Sequence, residues 1–406
     1  MGVLTQGTIL LTAIGVATLG VILYTPLPDG MEQPWRLREY YAKTKMSVII
    51  GGLAGLVGYS SVNVSRVLLD RIQLTNGSSD NHPNLQVSNV LLDGIQARVY
   101  RPINKDGLLP CFIYYHGGGL VYSINIYDGV TAKIANDSDI VVISIEYRKI
   151  PEFPYPASID DGYTATMYIL NNGQKLGVDP TKISIGGDSA GGNMAAALAL
   201  KLRDNKVKAK IVGQVLIYPV LQTCDLHTPS YQLGSNYLYN GRAFAAEVAV
   251  MYLGLPSHFK RFIKSENFSS PELTKKCKRF VNHKYLPKEF IPQGYMGTDV
   301  TADPTNKDAL MLGKKLSDPY VCPLMEEILA DLPQTLIVTA ELDHIRDDGV
   351  IYARRLQKAG VKTEWRHLPD SFHGVLTMID KDYGFQGGET MINHITNFLK
   401  TLYFGV

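Results

Sequence analysis

The chain has 406 residues, which suits one large domain with an insertion, or two modules, better than one small domain. Apolar residues make up 45% and charged residues 19%, so the composition is globular and excludes a disordered, collagen-like or coiled-coil chain. Lys and Arg number 40 against 38 Asp and Glu, a net charge of +2. Such a balance provides no general attraction for nucleic acid, and we expect no nucleic-acid partner.

The first 27 residues predict a membrane anchor. Residues 1–28 carry no charged side chain, and the 17 residues from Thr8 to Tyr24 are apolar apart from three threonines. This length is at the lower limit for a spanning helix, roughly 17–25 residues. A cleaved secretory signal would begin with a basic segment and end on small residues, whereas this run has no Lys or Arg before it and ends in the sequence TPLP. We therefore expect an uncleaved anchor.

Two observations oppose each other on the orientation of this anchor. Four basic residues follow it closely, and the positive-inside rule would place them and the catalytic part in the cytosol: Arg36, Arg38, Lys43 and Lys45. Four N-glycosylation sequons have meaning only in a secretory lumen: Asn63, Asn76, Asn136 and Asn267. A second apolar stretch, residues 48–57, is short for a span and predicts a core helix or a helix on a membrane surface.

The four cysteines predict neither a disulfide framework nor a metal site, because they are widely spaced and form no C-x-x-C pair. They are Cys111, Cys224, Cys277 and Cys322. We expect them to be buried as small apolar side chains, and one bridge is compatible with an oxidising compartment. No metal and no cofactor is predicted.

From about residue 106 onward, strands alternate with helices. The predicted strands are short apolar runs at 111–115, 140–145, 183–185, 215–218, 335–339 and 362–367, and helices are predicted at 190–202 and 348–358. Apolar strands separated by helices indicate an α/β fold with a mostly parallel sheet covered on both faces. The predicted core has two parts, 106–224 and 331–406.

The remaining segments are predicted to surround this core. Residues 28–105 form a linker and an N-terminal cap or edge-strand region. At 225–330 the alternation stops, and this segment predicts a helical cap inserted between two core strands. The cap, with part of the segment before residue 100, would wall an apolar pocket. Its basic stretch at 260–288 predicts a solvated surface rather than a contact with anionic lipid.

The sequence GDSAG at 187–191 matches the pattern G-x-S-x-G and lies between a predicted strand and a predicted helix. In such an elbow the serine occupies a strained turn, and the flanking glycines remove side chains that would clash there. The context predicts that Ser189 is a nucleophile. A Gly-rich turn without a reactive serine is the alternative.

The sequence HGGG at 116–119 follows a predicted strand. Successive glycines let backbone N–H groups approach a substrate oxygen, so we expect an oxyanion hole formed by the amides of Gly117, Gly118 and Ala190, supported by His116 and Gly119. A phosphate-binding loop is discounted because no G-K-[ST] follows.

Asp343 and His373 complete a predicted triad with Ser189. Asp343 comes just after the strand at 335–339, and His373 lies on a loop after the next strand. The chain order Ser, Asp, His is that of α/β-hydrolases. Asp347 and Asp348 compete as the acid, but their position predicts the first turn of the following helix.

Taken together, these motifs resemble the arylacetamide deacetylase family within the hormone-sensitive-lipase-type α/β-hydrolases. The similarity spans nearly the whole chain: residues 24–29 with PW at 34–35, HGGG at 116, EYR at 146, GDSAGGN at 187, LIYP at 216, Asp343 with RDDG at 346, and FHG at 372. Two departures are Lys149-Ile150, where the lineage prefers Leu-Ala, and Ser371, where Gly is usual. Neither touches the predicted triad, and no disulfide is carried over.

The resemblance implies a type II membrane protein of the endoplasmic reticulum with a luminal catalytic domain, which decides the orientation against the charge rule. It implies hydrolysis of small-molecule acyl esters and aryl amides, including glycerolipids, through an acyl-enzyme. A neutral lipid or cholesteryl ester hydrolase of the same fold is the alternative. A catalytically idle receptor would lack the catalytic histidine, whereas His373 is present.

Overall fold

The structure is a computed structural model that describes residues 18–27, 31, 33–73, 82–208, 211–233, 241–265, 271–295, 297, 305–379 and 384–406. Most of the predicted anchor, residues 1–17, lies outside this range, and residues 18–23 are helical. Among the described residues, no helix has the length and apolarity needed to cross a bilayer. The anchor therefore stays a prediction.

The chain divides into two compact units, and the smaller consists of residues up to Ile72. Its helices are α1 (Pro34–Leu56) and α2 (Ser61–Gln73). Gly51 lets them approach closely, because a Cβ there would lie 2.0 Å from Ser65 Oγ. The apolar stretch 48–57 forms the end of α1, and its side chains Leu53 and Leu56 are 59% and 83% exposed. These two side chains are therefore not part of a core, and a helix on a membrane surface stays a prediction.

The larger unit is built on an eight-stranded sheet in the order β1-β2-β4-β3-β5-β6-β7-β8. The first two strands form a hairpin, β2 runs antiparallel to β4, and every later pair is parallel. The strands are β1 (Leu85–Leu92), β2 (Ile95–Pro102), β3 (Leu109–Tyr115), β4 (Val141–Glu146), β5 (Val178–Asp188), β6 (Gly213–Ile217), β7 (Gln334–Leu342) and β8 (Thr363–Phe372). The mostly parallel α/β sheet predicted from the sequence is confirmed.

Helices cover both faces of this sheet. Every residue of β3 is buried, which requires protein on each side because successive side chains point to opposite faces. The covering helices are α3 (Asp128–Ser138), α4 (Ala157–Asn172), α5 (Ala190–Asp204), α11 (Arg346–Lys358) and α12 (Gln386–Phe404). The predicted helices at 190–202 and 348–358 are confirmed as α5 and α11.

The segment between β6 and β7, which the sequence predicts to be a cap, contains five α-helices in its described parts. Its helices are α6 (Pro229–Leu233), α7 (Gly241–Tyr252), α8 (Lys260–Ser265), α9 (Pro271–Phe280) and α10 (Lys307–Leu316). A disulfide joins Cys224, just after β6, to Cys277 on α9. Cys111 and Cys322 are buried free thiols, as expected for small apolar side chains. The one bridge that the sequence left open is therefore present.

Two of the four predicted glycosylation sites lie in the described residues. Asn63 is exposed on α2 and Asn136 is exposed on α3. The Ser138 that completes the second sequon is buried at the end of its helix. Asn76 and Asn267 lie outside the described residues.

Candidate active site

Ser189 occupies a sharp turn between β5 and α5. Its backbone has φ 54° and ψ −118°, a region that residues with a side chain rarely adopt. The glycines on either side make the turn feasible. A Cβ at Gly187 or Gly191 would lie 2.1 or 1.9 Å from the carbonyl oxygen of Tyr115 on β3. The strand, the strained serine and the helix form the elbow that the sequence predicted.

His373 lies within hydrogen-bond distance of both other residues of the predicted triad. His373 Nε2 is 3.0 Å from Ser189 Oγ, and His373 Nδ1 is 2.9 Å from Asp343 Oδ2. Because a carboxylate only accepts, Nδ1 carries the proton and Nε2 is left to accept from the serine hydroxyl. The other Asp343 oxygen accepts from the Ile345 N–H at 2.9 Å, which fixes the carboxylate.

Opposing influences set the protonation of His373. Burial alone would lower its pKa, but the charge and hydrogen bond of Asp343, assisted by the charge of Asp188, outweigh burial and raise the pKa above its ordinary value. The site therefore stabilises the protonated imidazole, the species that forms when this ring takes a proton from Ser189.

The competing acids Asp347 and Asp348 lie in the first turn of α11, as the sequence predicted. Each is engaged elsewhere: Asp347 accepts from the Ser230 N–H at 2.8 Å, and Asp348 accepts from the Leu221 N–H at 2.9 Å. Both bonds tie α11 to the segment that follows β6. These contacts give the two carboxylates a structural role.

The HGGG loop follows β3 and bends at two glycines, Gly118 with φ +81° and Gly119 with φ +62°. The Gly117 N–H donates to Asp188 Oδ1 at 2.8 Å. The prediction that Gly117 supplies an amide to an oxyanion is therefore wrong, since its proton is already held by a buried carboxylate. Three of the backbone amides near Ser189 can still donate to the oxyanion: those of Gly118, Gly119 and Ala190. Of these residues, Gly119 and Ala190 line the same cleft as Ser189.

Asp188 is a residue whose importance sequence reasoning missed, although it lies inside the GDSAG motif. Its carboxylate also accepts from Tyr114 at 2.7 Å and from Tyr127 at 3.3 Å. Burial raises its pKa to about 6, although these donors and the Gly117 N–H oppose the shift. Asp188 thus holds the oxyanion loop against the strand that carries the nucleophile.

His116, the first residue of that loop, is fixed from two sides. Lys149 Nζ lies 3.0 Å from His116 Nε2, and the Tyr147 hydroxyl donates to the His116 carbonyl at 2.6 Å. Burial lowers the pKa of His116 well below its ordinary value, and the charge of Lys149 adds to this, so the ring is neutral. Lys149, a departure from the family pattern, therefore contacts the first residue of the HGGG loop.

A cleft opens in front of Ser189 and is walled mainly by apolar side chains. One side is formed by Phe244 and Val248 on helix α7 and by Leu253, which directly follows that helix. The core contributes Leu120 and Val220. Its described lining residues all lie from Gly119 onward, so the expected contribution from the segment before residue 100 is not found among them. Within the described residues, no three His, Cys, Asp or Glu side chains are grouped as a metal would need.

Comparison with known proteins now places the chain in a family. The model of a family described as having the alpha/beta hydrolase fold matches residues 112–261 and 263–377. Arylacetamide deacetylase of Bos taurus is 33% identical over 394 residues, which cover 93% of this chain and 97% of that protein. The chain belongs to the arylacetamide deacetylase family of α/β-hydrolases. It is a hydrolase of the carboxylic ester class, as its relatives are.

Two further members of this wider group are informative. Neutral cholesterol ester hydrolase 1 of Bos taurus is 32% identical over 394 residues, covering 94% of this chain and 95% of that protein. Among solved structures, the hyperthermophilic esterase of the archaeon Pyrobaculum calidifontis is 28% identical, covers 84% of this chain and 93% of that chain, and superimposes with a TM-score of 0.59. Both are esterases by name.

Proposed function

We propose that this protein is a membrane-anchored serine carboxylesterase and deacetylase that hydrolyses acyl esters and aryl amides through an acyl-enzyme. One observation carries the proposal: the unbroken line of contacts from Ser189 Oγ through His373 to Asp343, at 3.0 and 2.9 Å. A nucleophile, a base and an orienting acid in this arrangement perform acyl transfer on several unrelated folds.

In the acylation step, Ser189 Oγ attacks the carbonyl carbon while His373 Nε2 takes the hydroxyl proton. Asp343 stabilises the imidazolium that results, and the amides of Gly118, Gly119 and Ala190 donate to the oxyanion. His373 then passes its proton to the departing alcohol or amine, and the acyl group stays on Ser189.

Deacylation uses the same groups in the reverse direction. A water gives a proton to His373 Nε2 and attacks the acyl carbon, and a second oxyanion forms at the same amides. Collapse of this intermediate releases the carboxylic acid, and the proton on His373 returns to Ser189. Apart from the substrate and this water, the cycle uses only side chains and backbone amides of this chain.

The apolar cleft supports ester and amide substrates with apolar groups. Relatives named arylacetamide deacetylase support aryl amides and esters as the substrate class. A second candidate, hydrolysis of neutral lipid or cholesteryl esters, is supported by the relative named neutral cholesterol ester hydrolase 1. Comparing rates on acetanilide-type aryl amides, short p-nitrophenyl esters and cholesteryl oleate in detergent separates the two.

For location we propose the endoplasmic reticulum membrane, with residues 1–27 as a type II anchor and the catalytic part in the lumen. Three features support this: the uncharged run of residues 1–28, the sequons whose asparagines Asn63 and Asn136 are exposed, and the Cys224–Cys277 bridge. Disulfides persist in oxidising compartments and are rare in the cytosol.

The decisive experiment compares wild type with Ser189→Ala in membranes from expressing cells. We expect the wild type to hydrolyse p-nitrophenyl acetate and butyrate and to be labelled by a fluorophosphonate probe. The variant should lose labelling and at least about 10³-fold in kcat, since removing a triad member leaves only the oxyanion hole and binding.

Ser184→Ala is the matched control, because Ser184 is a buried serine on β5, the strand that leads to Ser189, and does not line the cleft. Its labelling and turnover should persist. Folded wild-type protein that neither labels nor hydrolyses any of these esters would refute the esterase proposal and favour a ligand-binding protein.

A further inference from the structure

Lys149 lies beside the oxyanion loop, at a position where the lineage prefers leucine, and the mechanism above does not use it. Its side chain is 12% exposed, and its Nζ is 3.0 Å from Glu146 Oε1 and 3.0 Å from His116 Nε2. It also donates to the Tyr147 carbonyl. A lysine ammonium has three N–H donors and no acceptor. In each of these three contacts the lysine is therefore the donor.

The contact with Lys149 decides which ring nitrogen of His116 carries the proton. Burial and the charge of Lys149 hold the pKa of this ring well below its ordinary value, so the ring is neutral and has one N–H. Because the lysine can only donate to Nε2, the proton of the ring lies on Nδ1. His116 Nδ1 is 3.0 Å from the Gly117 carbonyl oxygen, which accepts this proton.

The Gly117 carbonyl belongs to the same peptide unit as the Gly118 N–H. In a planar trans peptide the C=O and the N–H point in opposite directions, so a bond that holds one of them also aims the other. The unit joins two glycines, which restrict its rotation least because they have no Cβ. The bond from His116 Nδ1 therefore fixes the direction of the Gly118 N–H, one of the three amides that the mechanism assigns to the oxyanion.

We propose that Lys149 is a positioning residue, which orients the oxyanion amide of Gly118 by selecting the tautomer of His116. A leucine at this position would have no donor for His116 Nε2 and would leave the tautomer unselected. With the proton on Nε2, the ring would have no N–H for the Gly117 carbonyl, and the peptide unit would lose this restraint. The inference rests on the proposed function, since an oxyanion forms only when a substrate is acylating Ser189.

The kinetic test is Lys149→Met, which removes the ammonium and keeps a side chain of similar length. We expect kcat for p-nitrophenyl butyrate, counted per site that a fluorophosphonate labels at completion, to fall roughly 10-fold. Removing an oxyanion donor outright costs about 10²–10³ in kcat, and here one donor is misdirected and not removed. KM should stay within about twofold of wild type, because this amide binds the transition state more strongly than the substrate.

A spectroscopic test reads the tautomer without relying on activity. Protonated and unprotonated imidazole nitrogens differ strongly in ¹⁵N chemical shift, so protein labelled with ¹⁵N-histidine reports each ring. The signals of His116 are those that disappear in His116→Gln. We expect the wild type to show Nδ1 protonated and Nε2 unprotonated, and Lys149→Met to show a protonated Nε2.

Lys182→Met is the matched control, because Lys182 on β5 is also a half-buried lysine beside an aromatic ring. Its Nζ is 6.0 Å from the centre of the Phe404 ring and 3.4 Å from the Tyr403 carbonyl oxygen, so it contacts α12. Both kcat and the His116 signals should equal those of the wild type.

The proposal is overturned if Lys149→Met keeps kcat per labelled site within about twofold of wild type, or if His116 of the wild type carries its proton on Nε2. If Lys149→Met does not fold, Lys149→Leu, which has the residue of the lineage, decides by the same criteria. Wild type that hydrolyses none of the esters would refute the proposed function instead, and the spectrum would still decide the tautomer, which keeps the two failures distinct.

Discussion

His373 combines two demands, since it must accept a proton from Ser189 and then hold it long enough to deliver it. The carboxylate of Asp343 at 2.9 Å favours the charged ring, while burial disfavours it, and the charge wins. The balance matters because only the neutral ring can act as the base. The raised pKa therefore enlarges the protonated, inactive fraction at any mildly acidic pH.

We expect kcat/KM for an uncharged ester to fall on acidification with a midpoint above 6.5, the ordinary histidine value. A pH profile of p-nitrophenyl butyrate hydrolysis measures it. Asp188→Asn provides the control, because Asp188 also titrates nearby, at about 6. If protonation of His373 causes the fall in kcat/KM, this variant still shows the fall. Its midpoint moves to a slightly lower pH, since one negative charge near the ring is lost. A midpoint below 6.5 in the wild type would contradict the prediction.

Asp188 gives a second prediction at the scale of one residue. Asp188→Ala leaves the Tyr114 hydroxyl and the Gly117 N–H without their acceptor, at about 1–3 kcal/mol for each buried group. We expect the free energy of unfolding to fall by about 2–6 kcal/mol and kcat to fall because the oxyanion loop loses its tether. Chemical denaturation and ester kinetics measure the two effects.

Asp179→Ala is the control for that variant, because Asp179 lies on the same strand and its carboxylate accepts hydrogen bonds from Thr181 at the surface end. It should cost little in either measurement. If Asp188→Ala matched this control in both the free energy of unfolding and kcat, the hydrogen bonds of Asp188 would contribute to neither.

Single residues also mark the limit of what the sequence predicted. Ser189, Asp343 and His373 were found because each follows a strand in the chain order of the fold, and parallel strands bring such ends together. The wrong choice of Gly117 had a physical cause: which amide is free depends on where the Asp188 carboxylate points.

At the scale of the elements, the site depends on how closely α5 approaches β3. Gly191 in the first turn of α5 faces the backbone of β3, where a methyl group would lie 1.9 Å from the Tyr115 carbonyl oxygen. No side-chain rotation can relieve a clash with backbone. The helix must therefore carry glycine at this point for the nucleophile to sit above the sheet.

We expect Gly191→Ala to destabilise the larger unit by several kcal/mol, as overpacking against a rigid neighbour does, and to abolish probe labelling. Thermal unfolding followed by near-UV circular dichroism measures the loss. Gly52→Ala is the control: Gly52 lies inside α1 with nothing within 4 Å of a Cβ, so the change should be neutral or slightly favourable. Equal melting temperatures for the two variants would contradict this account.

The elements differed in how well they could be predicted. Buried parallel strands such as β3 and β4 are unbroken apolar runs and were found to within a residue or two. The hairpin β1–β2 lies at the edge of the sheet, and its buried residues are interrupted by partly or fully exposed ones. Its sequence therefore shows no such run, and it was assigned only to an edge region. The cap helices follow no repeating alternation, and their bounds came only from the structure.

At the scale of the whole molecule, the compartment decides whether the proposed orientation holds. We expect endoglycosidase digestion of the membrane-expressed protein to increase its gel mobility, and Asn63→Gln to remove one step of that shift, because Asn63 is exposed on α2. Asn89→Gln is the control, since Asn89 is exposed on β1 but belongs to no sequon. A protein whose mobility is unaffected by digestion would favour a cytosolic catalytic part.

The bridge between Cys224 and Cys277, 53 positions apart, closes a covalent ring that includes α6, α7 and α8. A single cut by a protease anywhere inside that ring leaves one molecule instead of two, because both cut ends stay attached through sulfur. A nick between residues 225 and 276 would therefore show as an intact band on a non-reducing gel and as two fragments once thiol is added. The helices that wall the cleft are in this sense fastened to the core at both ends.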